Sequence, residues 1–248
     1  MGPAPKGQAS KVFINLEIGD QIEATKQEQG YKLAQEFLKS VGSQYGWSNS
    51  LSNLDNETQE IFTEAFSSDP TWSNQGTARL NPPDALAKGH LEIELDYKSA
   101  PKAAENFRCL CTGEKGKGKA SGKTLHYKGL NMHRIVKGFV AQGGDIVKND
   151  GSGGDSIYNG AFKDEKTALA LKNDQAGVVG MANSGPHTNK SQFYITLAPA
   201  PQCDGKHVVF GKVVNSEGLE FLKKIDELAS SENGMPQVEV LIADCGEV

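Results

Sequence analysis

The sequence predicts a mainly β fold closed into a barrel, and three observations carry that expectation. Two segments far apart in the chain alternate apolar and polar residues, as half-buried antiparallel strands do. Several short apolar runs follow, each bounded by turn residues. The 28 glycines supply the frequent turns that a closed all-β arrangement needs.

Residues 12–18 put Val12, Ile14, Leu16 and Ile18 on one face and Phe13, Asn15 and Glu17 on the other. Leu91, Ile93 and Leu95 repeat the pattern against Glu92, Glu94 and Asp96. Roughly seventy residues separate the two strands, and this insertion, residues 21–89, differs in character. Ala34, Phe37, Leu38 and Val41 recur at helical spacing. Asn56 with Gln59 reads as a capping box ahead of Ile61, Phe62, Ala65 and Phe66. Residues 48–53 and the proline-containing stretch 67–84 read as loops. Two short helices and an irregular return are expected, too small to bury much core alone. The apolar stripes and Trp47 or Trp72 are therefore expected to pack on the main domain or on a partner. After the second strand, Pro101 suits a first helical turn, with Ala103, Phe107 and Leu110 following at i, i+4 and i+7. A later helix spans residues 219–229 with Leu222, Ile225 and Ala229 inward. Strands are expected at 178–182, 193–197, 208–213 and 238–243.

The net charge of −5 argues against nucleic acid as a partner, which would call for a basic excess. No apolar run approaches the ~20 residues needed to cross a bilayer. The first ten residues lack the apolar stretch of a secretory signal and read as a disordered leader. Pro3 and Lys6 argue against myristoylation at Gly2. The four cysteines, Cys109, Cys111, Cys203 and Cys245, lack the paired short spacings of a thiolate zinc site. Reduced cytosolic thiols are expected, and no metal.

The chemistry concentrates in residues 133–145, HRIVKGFVAQGGD. Arg134 stands a few residues before an aromatic, Phe139, and an amide, Gln142, and the run breaks at Gly143-Gly144. Residues 181–195 (MANSGPHTNKSQFYI) and 204–213 (DGKHVVFGKV) belong with it. In this order the three blocks resemble the cyclophilins, the peptidyl-prolyl cis-trans isomerases. The likeness covers residues 11–20 and 90–248, with residues 21–89 inserted between the first two strands. A longer loop between Thr112 and Tyr127 resembles that of a divergent-loop subset of eukaryotic members. The resemblance implies an eight-stranded antiparallel barrel capped by two helices, with an active groove on its outer face. It implies a cytoplasmic monomer acting on proline-containing peptides and proteins without a cofactor.

Rotation about an X–Pro bond faces a barrier of roughly 18–20 kcal/mol, because the C–N bond has partial double-bond character. A catalyst must hold the twisted amide more tightly than either planar form. In the twisted state the prolyl nitrogen regains a lone pair, so a fixed donor beside it is selective for that state. Arg134 is the candidate donor, its planar guanidinium held by a neighbouring amide such as Gln142. The resemblance assigns the proline slot to Phe139, Val140, Tyr194 and Cys203, with Gln202 beside Cys203. It gives backbone anchoring to Asn183, flanked by Ala182 and Ser184. Gln192 and His207 line the groove, and Gly151 permits close approach at its edge. His207 is expected to shape the pocket and donate a hydrogen bond, since bond rotation transfers no proton. His133 reads as a packed strand residue.

Three departures from the family pattern bear on the slot. Val140 stands where most members have Met, Tyr194 where Phe is usual, and Gln202-Cys203 where Trp-Leu precedes Asp-Gly-Lys-His. The slot is expected to be less apolar and more polar, with isomerisation retained at reduced rate. At about 25 cal/mol per Å2, the lost Trp and Leu faces cost ligands on the order of 1–3 kcal/mol, so weak binding of cyclosporin is expected. The alternative function is a binding module, holding proline peptides with little turnover and using residues 21–89 as a docking or chaperone surface. Among weaker signals, GKASGKT at 118–124 lacks the spacing of a phosphate-binding loop. Cys111 and Glu114 suggest a brace across the longer loop. Lys115, Lys117, Lys119, Lys123 and Lys128 make that loop basic, a solvated face or a contact for an acidic partner.

Overall fold

The computed structural model describes residues 10–248. The expected leader thus lies outside the described residues but for Ser10, as does Gly2. In chain order the elements are β1 (Lys11–Ile18), α1 (Gln21–Tyr45), α2 (Asn56–Ser68), α3 (Pro70–Ser73), β2 (Ala87–Leu95), α4 (Pro101–Thr112), β3 (Arg134–Val136), β4 (Val140–Gly143), α5 (Lys166–Leu169), β5 (Val178–Met181), β6 (Phe193–Thr196), β7 (Val209–Val213), α6 (Ser216–Leu228) and β8 (Val240–Glu247). The chain divides into two compact units, one of β1 with Ala87–Val248 and the other Asp20–Leu86.

The eight strands form one antiparallel sheet in the order β3-β4-β6-β5-β7-β2-β1-β8. The residues leading into β3 bond to β8: Met132 N–H donates to Val240 C=O and Gly129 N–H to Ile242 C=O, both at 2.8 Å. That seam joins the sheet's two edges, which leaves no long run of unpaired backbone groups there. On β1 the four residues of the apolar face are all buried. They meet Leu91, Ile93 and Leu95 inside the barrel with Phe107, Phe193 and Phe210. Phe107 sits edge-on to Phe193, with ring centroids 5.0 Å apart. Tyr127 is wholly buried, and its hydroxyl is satisfied by donating to Ser191 C=O at 2.6 Å. Helix α4 starts with Pro101 in its first turn and buries Ala103, Phe107 and Leu110, while α6 buries Phe221, Leu222 and Ile225.

The insertion differs from its expected form in four ways. First, its leading helix is a single 25-residue element, α1, capped by Asp20 accepting from Glu23 N–H. Second, α2 is capped one residue earlier than expected. Asp55 accepts from Thr58 N–H at 2.8 Å, while Gln59 donates its side-chain amide to Leu54 C=O at 2.8 Å instead of closing a box with Asn56. Third, the unit has an aromatic core of its own. Phe37 packs edge-on against Phe62, Phe66 and Trp72 at centroid distances of 5.0, 5.2 and 5.6 Å. Trp47 lies 5.5 Å from Phe62. Aromatic rings carry enough area to cover one another in so small a unit, so the stripes do not depend on another surface. The insertion also ends earlier than residue 89, because Ala87, Lys88 and Gly89 pair with Ile18, Glu17 and Leu16.

The longer loop is organised by charge, not by Cys111. Glu114 accepts from Arg108 at 2.7 and 3.0 Å, and the thiol beside it is Cys109, at 3.6 Å. Cys111 is buried and faces Cys245 instead; all four cysteines are free thiols. Glu105, Cys109 and Glu114 could together ligate a metal. However, Arg108 Nη2 lies 2.9 Å from Glu105, 2.7 Å from Glu114 and 3.2 Å from Cys109 Sγ, so it fills the place of a cation. In the Gly118–Thr124 run the backbone turns on itself, and Ser121 is tied to the Asp155 carboxylate through its N–H and hydroxyl.

Candidate active site

Strand register puts the predicted residues on one surface. Across β3, β4, β6 and β5, Ile135, Ala141, Ile195 and Val179 stand opposite one another and are buried in the core. The period of two then turns the neighbouring row, Arg134, Gln142, Tyr194 and Gly180, to the outer face. Two residues along β4 from Gln142 comes Val140. Val140, Tyr194 and Cys203 form a small apolar cluster with Ala200, distinct from the barrel core, and Phe139 and Ala182 pack against it. Val140 and Tyr194 are 3% exposed and Cys203 is 5% exposed, so they make a dry floor under the half-buried Phe139. Gln202 is exposed on the single helical turn Pro201–Cys203 and adds nothing to that floor.

The guanidinium of Arg134 makes no hydrogen bond or ion pair with any described residue. The expected brace from Gln142 is not formed. Gln142 instead donates its amide to Gln192 Oε1 at 2.9 Å, and Gln192 donates to Gly151 and Gly153 C=O at 2.9 and 2.7 Å. The two amides therefore fix the loop at the groove's edge and leave Arg134 free to donate outward. The same loop is held from beneath by Asp145, fully buried, which accepts from the N–H groups of Val147, Lys148, Gly151 and Gly153 at 2.9–3.0 Å. Burial pushes its carboxyl up, but the four N–H groups outweigh this and hold it below the ordinary range. Gly151 has φ +90°, and a Cβ there would lie 2.7 Å from the His133 ring. His133 precedes β3 and packs under this loop. Burial lowers its pKa against the opposing pull of Asp145 and Asp150, which favours the neutral ring.

Asn183 uses its side chain locally, donating to Lys206 C=O at 3.2 Å and accepting from Gly185 N–H at 3.2 Å. Its own N–H and C=O have no partner among the described residues, which leaves both open to an extended peptide. Ala182 and Ser184 flank it, with Ser184 N–H bonded to Thr188 Oγ1. The His207 Nδ1 lies 2.9 Å from Met181 C=O, so this nitrogen carries the proton and donates inward. The hydrogen bond expected of His207 is thus donated inward, to the chain itself. Its edge meets Tyr194 at a centroid distance of 5.6 Å.

Tyr194 does not add to the slot the polarity that the sequence predicts. Its hydroxyl donates to Asn173 Oδ1 at 2.8 Å, and Asn173 donates through both N–H and Nδ2 to Asp204 at 2.9 and 3.0 Å. Those bonds, led by the Asn173 backbone N–H and joined by Lys172, hold the Asp204 carboxyl down to about 2. The chain links β6 to the turn that carries Cys203. Opposite Tyr194, a Cβ on Gly180 would lie 2.4 Å from the phenol Cζ and Oη, so only glycine admits the ring. Asn173 and Gly180 were not singled out from sequence; a glycine inside a strand, between Val179 and Met181, is the available signal for the second. Tyr194→Phe is expected to cost about 1–2 kcal/mol in urea unfolding, by stranding Asn173, with little change in peptide KM. Gly180→Ala displaces the ring and is expected to raise KM as well. An unchanged KM in Gly180→Ala would contradict this packing.

The family described as cyclophilin type peptidyl-prolyl cis-trans isomerase/CLD matches residues 84–247. The chain is similar to peptidyl-prolyl cis-trans isomerase cyp11 of Rhizopus delemar, 49% identical over 160 residues, covering 64% of this chain and 46% of that protein. It is similar to peptidyl-prolyl cis-trans isomerase 9 of Caenorhabditis elegans, 51% identical over 160 residues, covering 64% and 50%. The NK-tumor recognition protein of Mus musculus is 49% identical over 158 residues, which is 64% of this chain and 11% of that protein. The matched region spans half or less of the length of these relatives.

Proposed function

The chain belongs to the cyclophilin-type peptidyl-prolyl cis-trans isomerase family, and from that premise we propose that it catalyses rotation about X–Pro bonds in peptides and proteins. The observation that carries the reading is a cation without a hydrogen-bond or ion-pair partner among the described residues, Arg134, in register beside a closed apolar slot. The slot of Phe139, Val140, Tyr194 and Cys203 takes the proline ring. Asn183 anchors the peptide backbone through its open N–H and C=O, and Arg134 donates to the prolyl nitrogen as the amide twists and its lone pair localises. No bond breaks and no proton moves, so His207 serves as a wall of the pocket. Gln142, Gln192 and Gly151 hold the edge of the groove. The substrates are proline-containing proteins, and no cofactor is needed.

The test is an isomerisation assay on a short Ala-Pro-Phe peptide, comparing the chain with Arg134→Ala. Coincident rates would transfer the reading to a Pro-peptide-binding module. The insertion would then serve as its docking or chaperone surface, for which Ile22, Tyr45 and Ile61 at 70, 53 and 46% exposure offer apolar contacts. Cyclosporin is expected to bind weakly, because Val140, Gln202 and Cys203 give it less apolar area than Met, Trp and Leu would. Calorimetric titration returning a nanomolar constant would contradict that. Among the described residues no helix is long and apolar enough to cross a membrane. The four free thiols suit a reducing compartment such as the cytosol, and we infer that the protein works there as a monomer. The divergent-loop assignment rests on the lysine-rich segment after α4, held by Arg108 and Asp155.

A further inference from the structure

Gln142 does not brace Arg134, and no other described polar group anchors it, so its guanidinium is aimed by other means. Arg134 and Val136 project from the same face of β3, and Gly234, in the loop between α6 and β8, closes over both. A Cβ on Gly234 would lie 3.1 Å from Val136 Cγ2, 3.2 Å from Arg134 Cγ and 3.3 Å from Arg134 Nε. All three distances fall inside the ~3.5–4.0 Å optimum for such contacts, so any side chain there would push the arginine stem aside. Gly234 is buried and has φ +84°, in the left-handed region that glycine adopts without strain.

The loop is fastened to the edge of β3 that faces away from β4. Ile135 N–H donates to Gly234 C=O at 2.9 Å, Ser231 N–H to Ile135 C=O at 3.1 Å and Lys137 N–H to Ser231 C=O at 3.1 Å. The Ser231 hydroxyl donates to Met235 C=O at 2.6 Å, and Gln237 N–H to Ala229 C=O at 2.9 Å, which ties the loop to itself and to the end of α6. A strand of only three residues is thereby held on both edges. At the far end of the side chain, burial raises the pKa of the Cys203 thiol and the Arg134 charge is among the groups that oppose it. The cation is therefore felt at the floor of the slot.

We propose that Gly234 is a positioning residue for Arg134, pressing the arginine stem into the one direction that brings its outer nitrogens to the prolyl nitrogen. A long side chain carries rotamer entropy that a loose donor would lose at the transition state. Contact at Cγ and Nε removes that freedom beforehand. A carboxylate or amide brace would also hold the cation, but it would occupy the donors that the twisted amide needs. A bare glycine backbone restrains the stem and consumes none of them. The effect on rate rests on the isomerase reading; the restraint of the side chain does not.

The test uses the full chain and compares Gly234→Ala, Ser231→Ala and Arg134→Ala with the two double variants that carry Arg134→Ala. Turnover and KM are read on an Ala-Pro peptide, and the mobility of the Arg134 Nε–H by nitrogen relaxation NMR. Gly234→Ala is expected to lower kcat about ten-fold at unchanged KM, since a shift of a fraction of an ångström costs less than the ~10²-fold of a full one. Ser231→Ala loosens the loop without straining φ and is expected to lower kcat about three-fold, so the test stands even where Gly234→Ala folds poorly. In both variants the Nε–H, ordered in the wild type, becomes mobile, and neither substitution slows Arg134→Ala further. A loss that carries over in full to the Arg134→Ala background would mark the loop as merely structural and overturn the proposal. So would an unchanged kcat in both single variants, or an Nε–H already mobile in the wild type. Should Arg134→Ala turn over at the wild-type rate, the isomerase reading falls; an Nε–H ordered in the wild type and loosened by Ser231→Ala then upholds the restraint alone.

Discussion

Arg134→Ala is expected to slow prolyl isomerisation by roughly 10²–10³-fold, the loss typical of a single preorganised donor aimed at a transition state. Its unfolding midpoint in urea should stay within error of the wild type. The combination follows from one fact: the guanidinium has no hydrogen bond or ion pair within the described residues, so its removal strands no buried partner. Most buried-network residues fail both tests together, because the groups they satisfied are left unpaired. Arg134→Lys retains the charge but not the planar fork, and its rate should fall between the two. Rates measured by exchange NMR and stability by urea unfolding separate the effects. A variant that loses stability as fast as it loses rate would show that the arginine is structural.

The second large effect is on stability and its pH dependence. Arg108 is buried and gathers three carboxylates: Glu105 from its own helix, Glu114 from the following loop and Glu247 from β8. Arg108→Met keeps the length of the side chain and removes the charge, leaving three acids crowded around an apolar tip. The expected loss is on the order of 3 kcal/mol, as for other broken buried pairs. The Arg108 bonds lead in holding the Glu114 carboxyl down to about 2. For Glu105 burial pushes up, but its bonds to Arg108 and Cys109 outweigh this and the net shift is downward. Both folded values thus lie below the unfolded value of about 4.3. The stabilisation is complete above that value and is lost as pH falls through the folded ones. Wild-type stability should drop between about pH 4.5 and 2, and Arg108→Met should lose most of that slope. Parallel stability–pH curves for the two proteins would refute the account.

The barrel was legible because its strands obey strict alternation. Val12 to Ile18 and Leu91 to Leu95 each name their inward face, and the register then follows from pairing. The site was legible through residue identity, since Arg134, Phe139, Gln142 and Asn183 sit in distinctive runs. What the sequence hid were partners. Nothing local tells that Gln142 serves Gln192, that His207 donates inward to Met181, or that Asn173 satisfies Tyr194, because each contact joins residues 21 or more apart. The first half of α1 was hidden for another reason. Between Gln21 and Gly30 its one large apolar side chain, Ile22, is 70% exposed, so no stripe announces a helix there.

The last rung between β1 and β2 sets Ile18 against Ala87, which places the points of departure and return of the 20–86 segment on facing strands. Topologically the segment is an overgrown hairpin tip. Lengthening a flexible tip to this size adds only about 2–3 kcal/mol of closure entropy, since the cost rises with the logarithm of length. A tip that folds around its own aromatic nucleus confines its ends and reduces even that. The junction is therefore a socket: the barrel tolerates there any small module whose termini lie side by side, and a different cargo could be carried without redesigning a single ladder bond.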